Sequence, residues 1–306
     1  MVFSNWYFIF CGIGDSVGFI KDDKMKEVLI PILLILFAPV IGGLVYGFER
    51  IIKARMQRRI GPPLLQPFYD FLKLADKRKM IVHSAHAFLG IMHFVSLWFA
   101  LAVLLLGGDF ILVIFLHLLS TALLILAGFS TRSIFSNLGA NRTAISILSY
   151  EPVMILIAVS VFMLTGSFDI SSIFSYNEPL LYKMPLAFIA LLLILPIKMK
   201  KSPFDVADAH QEITGGVELE YSGIFYEAIY TAKWLDYVFC YALVYLFAGN
   251  NILLGAGLIL FVFLYLNALD NSSARVNYKQ MLRFSLMVSL PIAFINLLLT
   301  ILHISI

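Results

Sequence analysis

Charge is scarce in this chain, and cysteine is scarcer. Of 306 residues, 13% are charged, 61% are hydrophobic and two are cysteines. Cys11 and Cys240 stand far apart, so the chain cannot furnish the four thiolates that an iron–sulfur cluster usually takes. The same shortage excludes a disulfide framework and a Cys/His zinc cluster. A Walker loop, a dinucleotide fingerprint and a serine-triad motif are also missing, which argues against nucleotide chemistry or acyl transfer in the chain itself. The opening stretch MVFSNWYFIFCGIGDSVG lacks the basic start of a cleavable signal and runs into charges.

Long apolar runs fill the space. Mean hydropathy is +0.92. Runs such as VLIPILLILFAPVIGGLVYGF and NNILLGAGLILFVFLYLNAL reach the roughly 20 residues that a helix needs to cross a bilayer. The pattern is not the polar–apolar alternation of a membrane barrel. The expected fold is an all-α polytopic membrane protein, one membrane domain over residues 1–306. About eight transmembrane helices are expected, near 28–48, 88–107, 109–131, 144–166, 184–200, 221–248, 250–270 and 284–304. The first 20 residues form a further hydrophobic segment, placed outside or in the interface, with a ninth span as the alternative.

Lysine and arginine fix the expected orientation. Seventeen of the 22 fall in alternate loops, near 49–87, 132–143, 198–222 and 271–283. Those loops are expected in the cytoplasm, with both termini outside, in a multi-pass protein of the cell membrane.

One cytoplasmic loop breaks the pattern. KSPFDVADAHQEITGGVELEYSG holds Asp205, Asp208, Glu212, Glu218 and Glu220, with Lys201 as its one Lys or Arg. Ser202 as cap, Pro203 at the first position and Asp205 at the third suggest a short helix that Gly215–Gly216 ends. Asp205, Asp208 and Glu212 would share one face of it. A merely solvated helix would normally carry mixed charges.

Three acids are expected deeper. A charge at mid-membrane costs about 2.5–3.5 kcal/mol on insertion scales, so such groups usually pair or line a wet path. Lys233 and Asp236 are spaced to pair within one helix. Glu227 has no partner at helical spacing, and Glu151 directly precedes Pro152, so both are proton-carrier candidates. His93, His117 and His303 read as packed side chains. His83 and His86, three apart without cysteine, make a weak metal set. No metal or catalytic residue is assigned.

The basic loop ERIIKARMQRRIGPPLLQPFYDFLKLADKRK divides at Gly-Pro-Pro. LLQPFYDFLKLADK beyond it has the spacing of an amphipathic interfacial helix.

These loops carry a resemblance. ERIIKARMQRRIGP with LLQPFYDFLKL, PFDVADAHQEITGGVELEYSG, SYEP and ARVNYKQMLRFS, in that order over about 28–304, resemble the subunit 1 (H-subunit) family of respiratory complex I. That family includes the membrane anchor of energy-converting NiFe hydrogenases. The resemblance implies eight long, tilted helices at the junction of a soluble redox arm and a membrane arm. It implies that Asp205, Asp208, Glu212 and Glu220 match acidic positions of the third cytoplasmic loop, with Glu218 beside them and Glu227 and Glu151 continuing the path. Arg55, Arg58, Arg59, Gln66, Asp70 and Lys73 are the implied docking positions for the redox module. Two departures, Pro63 running straight into Leu64 and His210 where quinone-linked forms usually have glutamate, resemble the hydrogenase branch and its sulfur-reducing relatives.

The expected function is a non-catalytic coupling subunit of a ferredoxin-driven, hydrogenase-type or sulfur-reducing oxidoreductase. The implied partners are hydrogenase-like large and small subunits, an iron–sulfur subunit, antiporter-like membrane subunits and the lipid bilayer, without nucleic acid. The NiFe centre and iron–sulfur clusters would sit in those partners, with no cofactor in this chain. Electron transfer would drive H⁺ or Na⁺ movement. The alternative is the quinone-chamber subunit of a complex I-like enzyme. An independent ion transporter is a further alternative, against which the missing internal repeat argues.

Overall fold

The computed structural model describes residues 23–176 and 178–302, leaving the 1–20 segment, Cys11 and His303 outside the described residues. In chain order the helices are α1 (Asp23–Met56), α2 (Gln66–Ala75), α3 (Ser84–Leu105), α4 (Phe110–Ser130) and α5 (Ile134–Thr165). Next come the short α6 (Ile170–Ser175) and α7 (Leu180–Lys183), then α8 (Pro185–Lys198) and the single turn α9 (His210–Ile213). The chain continues through α10 (Ile224–Leu246) and α11 (Ile252–Ser272) to a rod made of α12 (Tyr278–Phe284), a π-helical turn (Ser285–Ser289) and α13 (Leu290–Ile301). The described residues contain no strand, only an isolated bridge between Asp109 and Asp169.

Six of these segments are long and apolar enough to cross a membrane: α1 from Leu29, α3, α4, α5, α11 and the Tyr278–Ile301 rod. The other two expected positions also hold helices, but each is compromised. α8 has 14 residues, about 21 Å of helix against a hydrocarbon core of about 30 Å. α10 has 23 residues but carries Glu227, Lys233 and Asp236. Helices also extend into the expected loops, so that Arg142 lies within α5 and Arg283 within α12.

α2 forms where the amphipathic pattern places it, after a Gly61–Pro63 break with no helix. Phe68 and Phe71 pack on Trp234 of α10, with ring centroids 5.3 and 5.9 Å away, while Tyr69 and Leu72 stay exposed. α1 meets α10 at Gly42, where a Cβ would lie 2.2 Å from the Trp234 carbonyl oxygen. Only glycine allows that approach.

The acidic loop does not form the expected helix. Ser202 is occupied elsewhere: its amide donates to Asp270 at 2.9 Å and its hydroxyl to the Ser273 carbonyl at 3.1 Å. Phe204, Val206, Ala207 and Ala209 are all buried, which a single amphipathic face could not achieve, so the chain folds irregularly until His210. Thr214, Gly215 and Gly216 then take left-handed φ values of 53°, 98° and 61° and end α9. Gly216 packs into α5, its Cα 2.6 Å from where a Cβ on Gly139 would stand. The loop thus folds inward against α4 and α5. Irregular backbone is tolerated there because protein, not lipid, surrounds it.

Candidate functional site

Lys198, Lys200 and Lys201 read as ordinary positive-inside charge, yet Lys198 and Lys201 are buried. Lys200 adopts a left-handed φ of 51°, which turns the chain between its neighbours. Such a backbone costs of order 1–3 kcal/mol, and each lysine offsets it by meeting a different acid.

Three groups result. In the first, Lys201 donates to Glu49 and to the Tyr237 hydroxyl, while Lys53 bridges Glu49 and Asp270. This joins α1, α10, α11 and the end of α8. In the second, Lys200 reaches Asp208 at 2.9 Å, and Lys233 of α10 lies 3.6 Å from Asp208 and 2.7 Å from Glu218. In the third, His117 of α4 lies 3.0 Å from Asp236, and Lys198 lies 3.7 Å from the same carboxylate oxygen. The Lys198 ammonium also sits over the rings of Phe239 (4.7 Å) and Tyr150 (5.5 Å). With His117 neutral, each group holds as many lysines as carboxylates. That balance is what a buried ionic network requires.

Asp208 shows the electrostatics outside the spans. Burial pushes its carboxyl up, but Lys200 and Lys233 outweigh that and hold it below the usual carboxylate range. A cavity of about 350 Å³ lies among the three groups and is lined by Lys198, Lys200, Lys201, Asp208 and Asp236. It has room for on the order of ten water molecules.

The expected site residues separate by position. Asp208 and Glu218 lie inside the network. Asp205 is bound by Arg275 at 2.7 Å, and Glu212 by Arg142 at 2.6 Å, so neighbouring segments hold the loop from two further sides. Glu212 remains 54% exposed, which corrects the expectation that it shares a face with Asp208. Glu220 is half-buried and joins none of the three groups. Glu151 is buried near the middle of α5, and its Oε2 has no hydrogen-bond partner. Glu227 stands only one turn into α10, half-buried, also with an unpartnered Oε2. The Lys233–Asp236 pair does not form, because both side chains have better partners on other elements.

Of the six docking positions, Arg55, Arg58, Arg59 and Lys73 are exposed. Gln66 and Asp70 are used internally: Gln66 donates to Asp70 at 2.8 Å, and Arg50 pairs with Asp70 at 3.0 Å, tying α2 to α1. His83 accepts from the Ala85 amide at 3.2 Å as the cap of α3. His93 bonds the Ser120 carbonyl at 2.9 Å.

Sequence reasoning missed Glu49, Lys53, Lys198, Lys200, Lys201, Asp270 and His117 as members of the network. Signals existed for some of them. Glu49 and Lys53 are four apart at the end of an apolar run, and Lys198 directly follows LLLILPI with no polar spacer.

Fold and interior together define a class, an α-helical multi-pass membrane protein with a balanced ionic core. Within that class, the chain belongs to the NADH dehydrogenase family, the subunit 1 (H-subunit) family of respiratory complex I, whose model matches residues 28–301. It is 28% identical to the H-subunit of NADH-quinone oxidoreductase from Helicobacter pylori strain Shi470, over 90% of this chain and 96% of that protein. It is 27% identical to the corresponding protein of Campylobacter jejuni strain 81-176, over 94% and 98%. Among solved structures it resembles a chain of the membrane-bound sulfane sulfur reductase, an archaeal respiratory membrane complex. That likeness has a TM-score of 0.81 at 23% identity, covering 89% of this chain and 99% of that one.

Proposed function

We propose that this chain is the membrane-embedded coupling subunit of a hydrogenase-type or sulfur-reducing respiratory complex driven by ferredoxin. It docks a soluble redox module on its cytoplasmic loops and passes charge changes inward to partner subunits that translocate H⁺ or Na⁺. The metal and cluster chemistry belongs to those partners. One observation carries the reading: acids and lysines alternate from the loop (Glu218, Lys233, Asp208, Lys200) to the middle of α10 (Lys198, His117, Asp236). A redox event at the loop can therefore act on charges deep in the bundle without a long gap. The sulfane sulfur reductase likeness supports the branch through its fold.

Asp208→Asn in the intact complex tests the reading. Ion translocation should fall at least fivefold, while electron transfer by the soluble module stays within twofold. Unchanged translocation in an assembled complex counts against the proposal.

A second reading has one observation in its favour. A cavity of about 530 Å³ opens between α2 and α10, lined by Asp70, Lys73, Leu74, Asp76, Lys77, Tyr226 and Tyr230. An amphipathic helix beside paired tyrosines suits a quinone, and the bacterial relatives are NADH-quinone oxidoreductase subunits. Quinone retained by the purified complex, with quinone-dependent oxidation of a reduced donor, would favour this reading.

A further inference from the structure

The segment between α2 and α3 carries its chemistry on the outside. Residues 75–85 are all exposed, and 77–83 form no helix. Lys77, Arg78 and Lys79 stand in a row, with Asp76 as the one acid within 71–85. None of the three enters an ion pair among the described residues. The backbone amides of 78–82 donate to no backbone acceptor among the described residues. Met80, Ile81 and Val82 follow the cations and are 68%, 57% and 56% exposed. Positive-inside bias accounts for the side on which the cations lie, but not for apolar side chains exposed beside them.

α3 begins directly after this segment, at Ser84, and is long and apolar enough to cross the membrane. Phe88, Ile91, Val95 and Phe99 are exposed on it at spacings of three and four, which makes one apolar stripe along the helix. From Phe88 to Phe99 the helix rises about 16 Å, close to one leaflet, half of a hydrocarbon core of about 30 Å. An acyl chain laid along the stripe brings its headgroup to the residues just before Ser84. Three cations meet a phosphate there. A zwitterionic headgroup offers them no net charge, whereas an anionic one complements them, as basic clusters beside a span do with anionic lipid.

The same segment holds the end of the acidic loop. Ser222 Oγ donates to the Arg78 carbonyl at 3.3 Å. Gly223, at a φ of 58°, comes so close that a Cβ would lie 2.9 Å from the Lys77 carbonyl oxygen and 3.2 Å from that of Arg78. Tyr221 donates to the His86 carbonyl at 2.9 Å and stacks on the His86 ring, with centroids 3.8 Å apart. Lys77 and Arg78 thus expose their side chains while their carbonyls meet the loop. We propose that Lys77, Arg78 and Lys79 bind the headgroup of an anionic phospholipid whose chain lies along the 88–99 stripe, and that this lipid holds the segment on which the acidic loop ends. The binding stands apart from the coupling reading, and only its effect on translocation rests on that reading.

Photolabelling of the intact complex tests the site. A phosphatidylglycerol with a diazirine on its acyl chain, and the phosphatidylcholine with the same chain, are each diluted into phosphatidylcholine vesicles that hold the complex. The stripe residues should take at least about fivefold more label from the anionic probe. Lys77→Gln, Arg78→Gln and Lys79→Gln together should reduce that ratio to about one and leave the phosphatidylcholine label unchanged, which shows that the stripe is still in place. Inorganic phosphate at matched ionic strength should not compete; loss of the preference would assign the cations to a free anion and overturn the lipid. Equal labelling of the parent by both probes, or no labelling because a partner subunit covers the stripe, also overturns the proposal. Hydrogen exchange reads the hold on the loop. In the parent, the amides of 218–223 should exchange at least about threefold more slowly in vesicles of equal phosphatidylglycerol and phosphatidylcholine than in phosphatidylcholine alone, and the triple variant should lose the difference. Exchange in the parent that ignores the lipid refutes the hold. Slowed exchange with identical translocation in both vesicles supports the hold and counts against the coupling reading alone.

Discussion

Lys233 reaches Glu218 at 2.7 Å, fifteen residues back along the chain, and bypasses Asp236 three residues ahead on its own helix. The inward-folded loop has displaced the local pairing that helical spacing favours. Removing Lys233 should therefore damage the loop more than the helix. Lys233→Met should destabilise the protein by about 3 kcal/mol, because Glu218 and Asp208 lose a shared cation. Adding Glu218→Gln should recover at least about 1 kcal/mol, read as a coupling energy from thermal unfolding of the four proteins of the cycle. Additive losses would mean that the pair contributes nothing.

Asp208 gives the acid limit of the loop. Its folded carboxyl titrates below the usual value of 3.8, so the unfolded chain takes up protons first as the pH drops. The stability from this group is complete above the unfolded value and is lost as the pH falls through the folded one. Thermal midpoints of the parent and Asp208→Asn should differ most near neutrality and converge below about pH 4. A constant difference down to about pH 3 would show that the lysines do not hold the carboxylate.

Glu212 should matter little despite standing four residues from Asp208. It is 54% exposed and paired with Arg142, and such surface pairs contribute between about 0 and 1 kcal/mol. Glu212→Gln should leave both stability and ion translocation within twofold of the parent. Strong uncoupling by this variant would put the working face of the loop outside the network.

The same exposure makes Glu212 a reporter of sidedness. Glu212→Cys, with Cys11 and Cys240 replaced by serine, should react with an impermeant maleimide only in inside-out vesicles. Labelling confined to right-side-out vesicles would invert the proposed orientation.

Gly42→Ala tests the helix contact that supports the network. The added methyl meets the Trp234 carbonyl, which cannot rotate away, so a loss of about 1–3 kcal/mol is expected from overpacking. A neutral effect in thermal unfolding would mean that α1 and α10 are less tightly apposed.

The helical membrane architecture was legible because apolar runs of bilayer length admit few alternatives. The amphipathic α2 was legible because Gly-Pro-Pro isolates its pattern. The interior was much less so. Ser202, Pro203 and Asp205 form a genuine local helix signal, but the contacts of Ser202 with Asp270 and Ser273 and the burial of Val206, Ala207 and Ala209 overrode it. Lys198 and Lys201 were hidden by a rule that counts charge by loop, since a lysine at the end of a short helix looks the same in sequence as one at the end of a long helix. His117 pairs with a residue 119 positions away, a relation that no local pattern carries.

The Glu49–Lys53–Lys201 arrangement also bears on how the chain is made. Glu49 ends up against Lys201, 152 residues further along. At about 5–20 residues per second, that partner is synthesised roughly 8–30 s after Glu49. Lys53 is made almost at once, and it is already in contact four residues on along the same helix. The first span therefore reaches the insertion machinery with its own neutralising cation. It can settle in the membrane while the rest of its ionic partners are still untranslated.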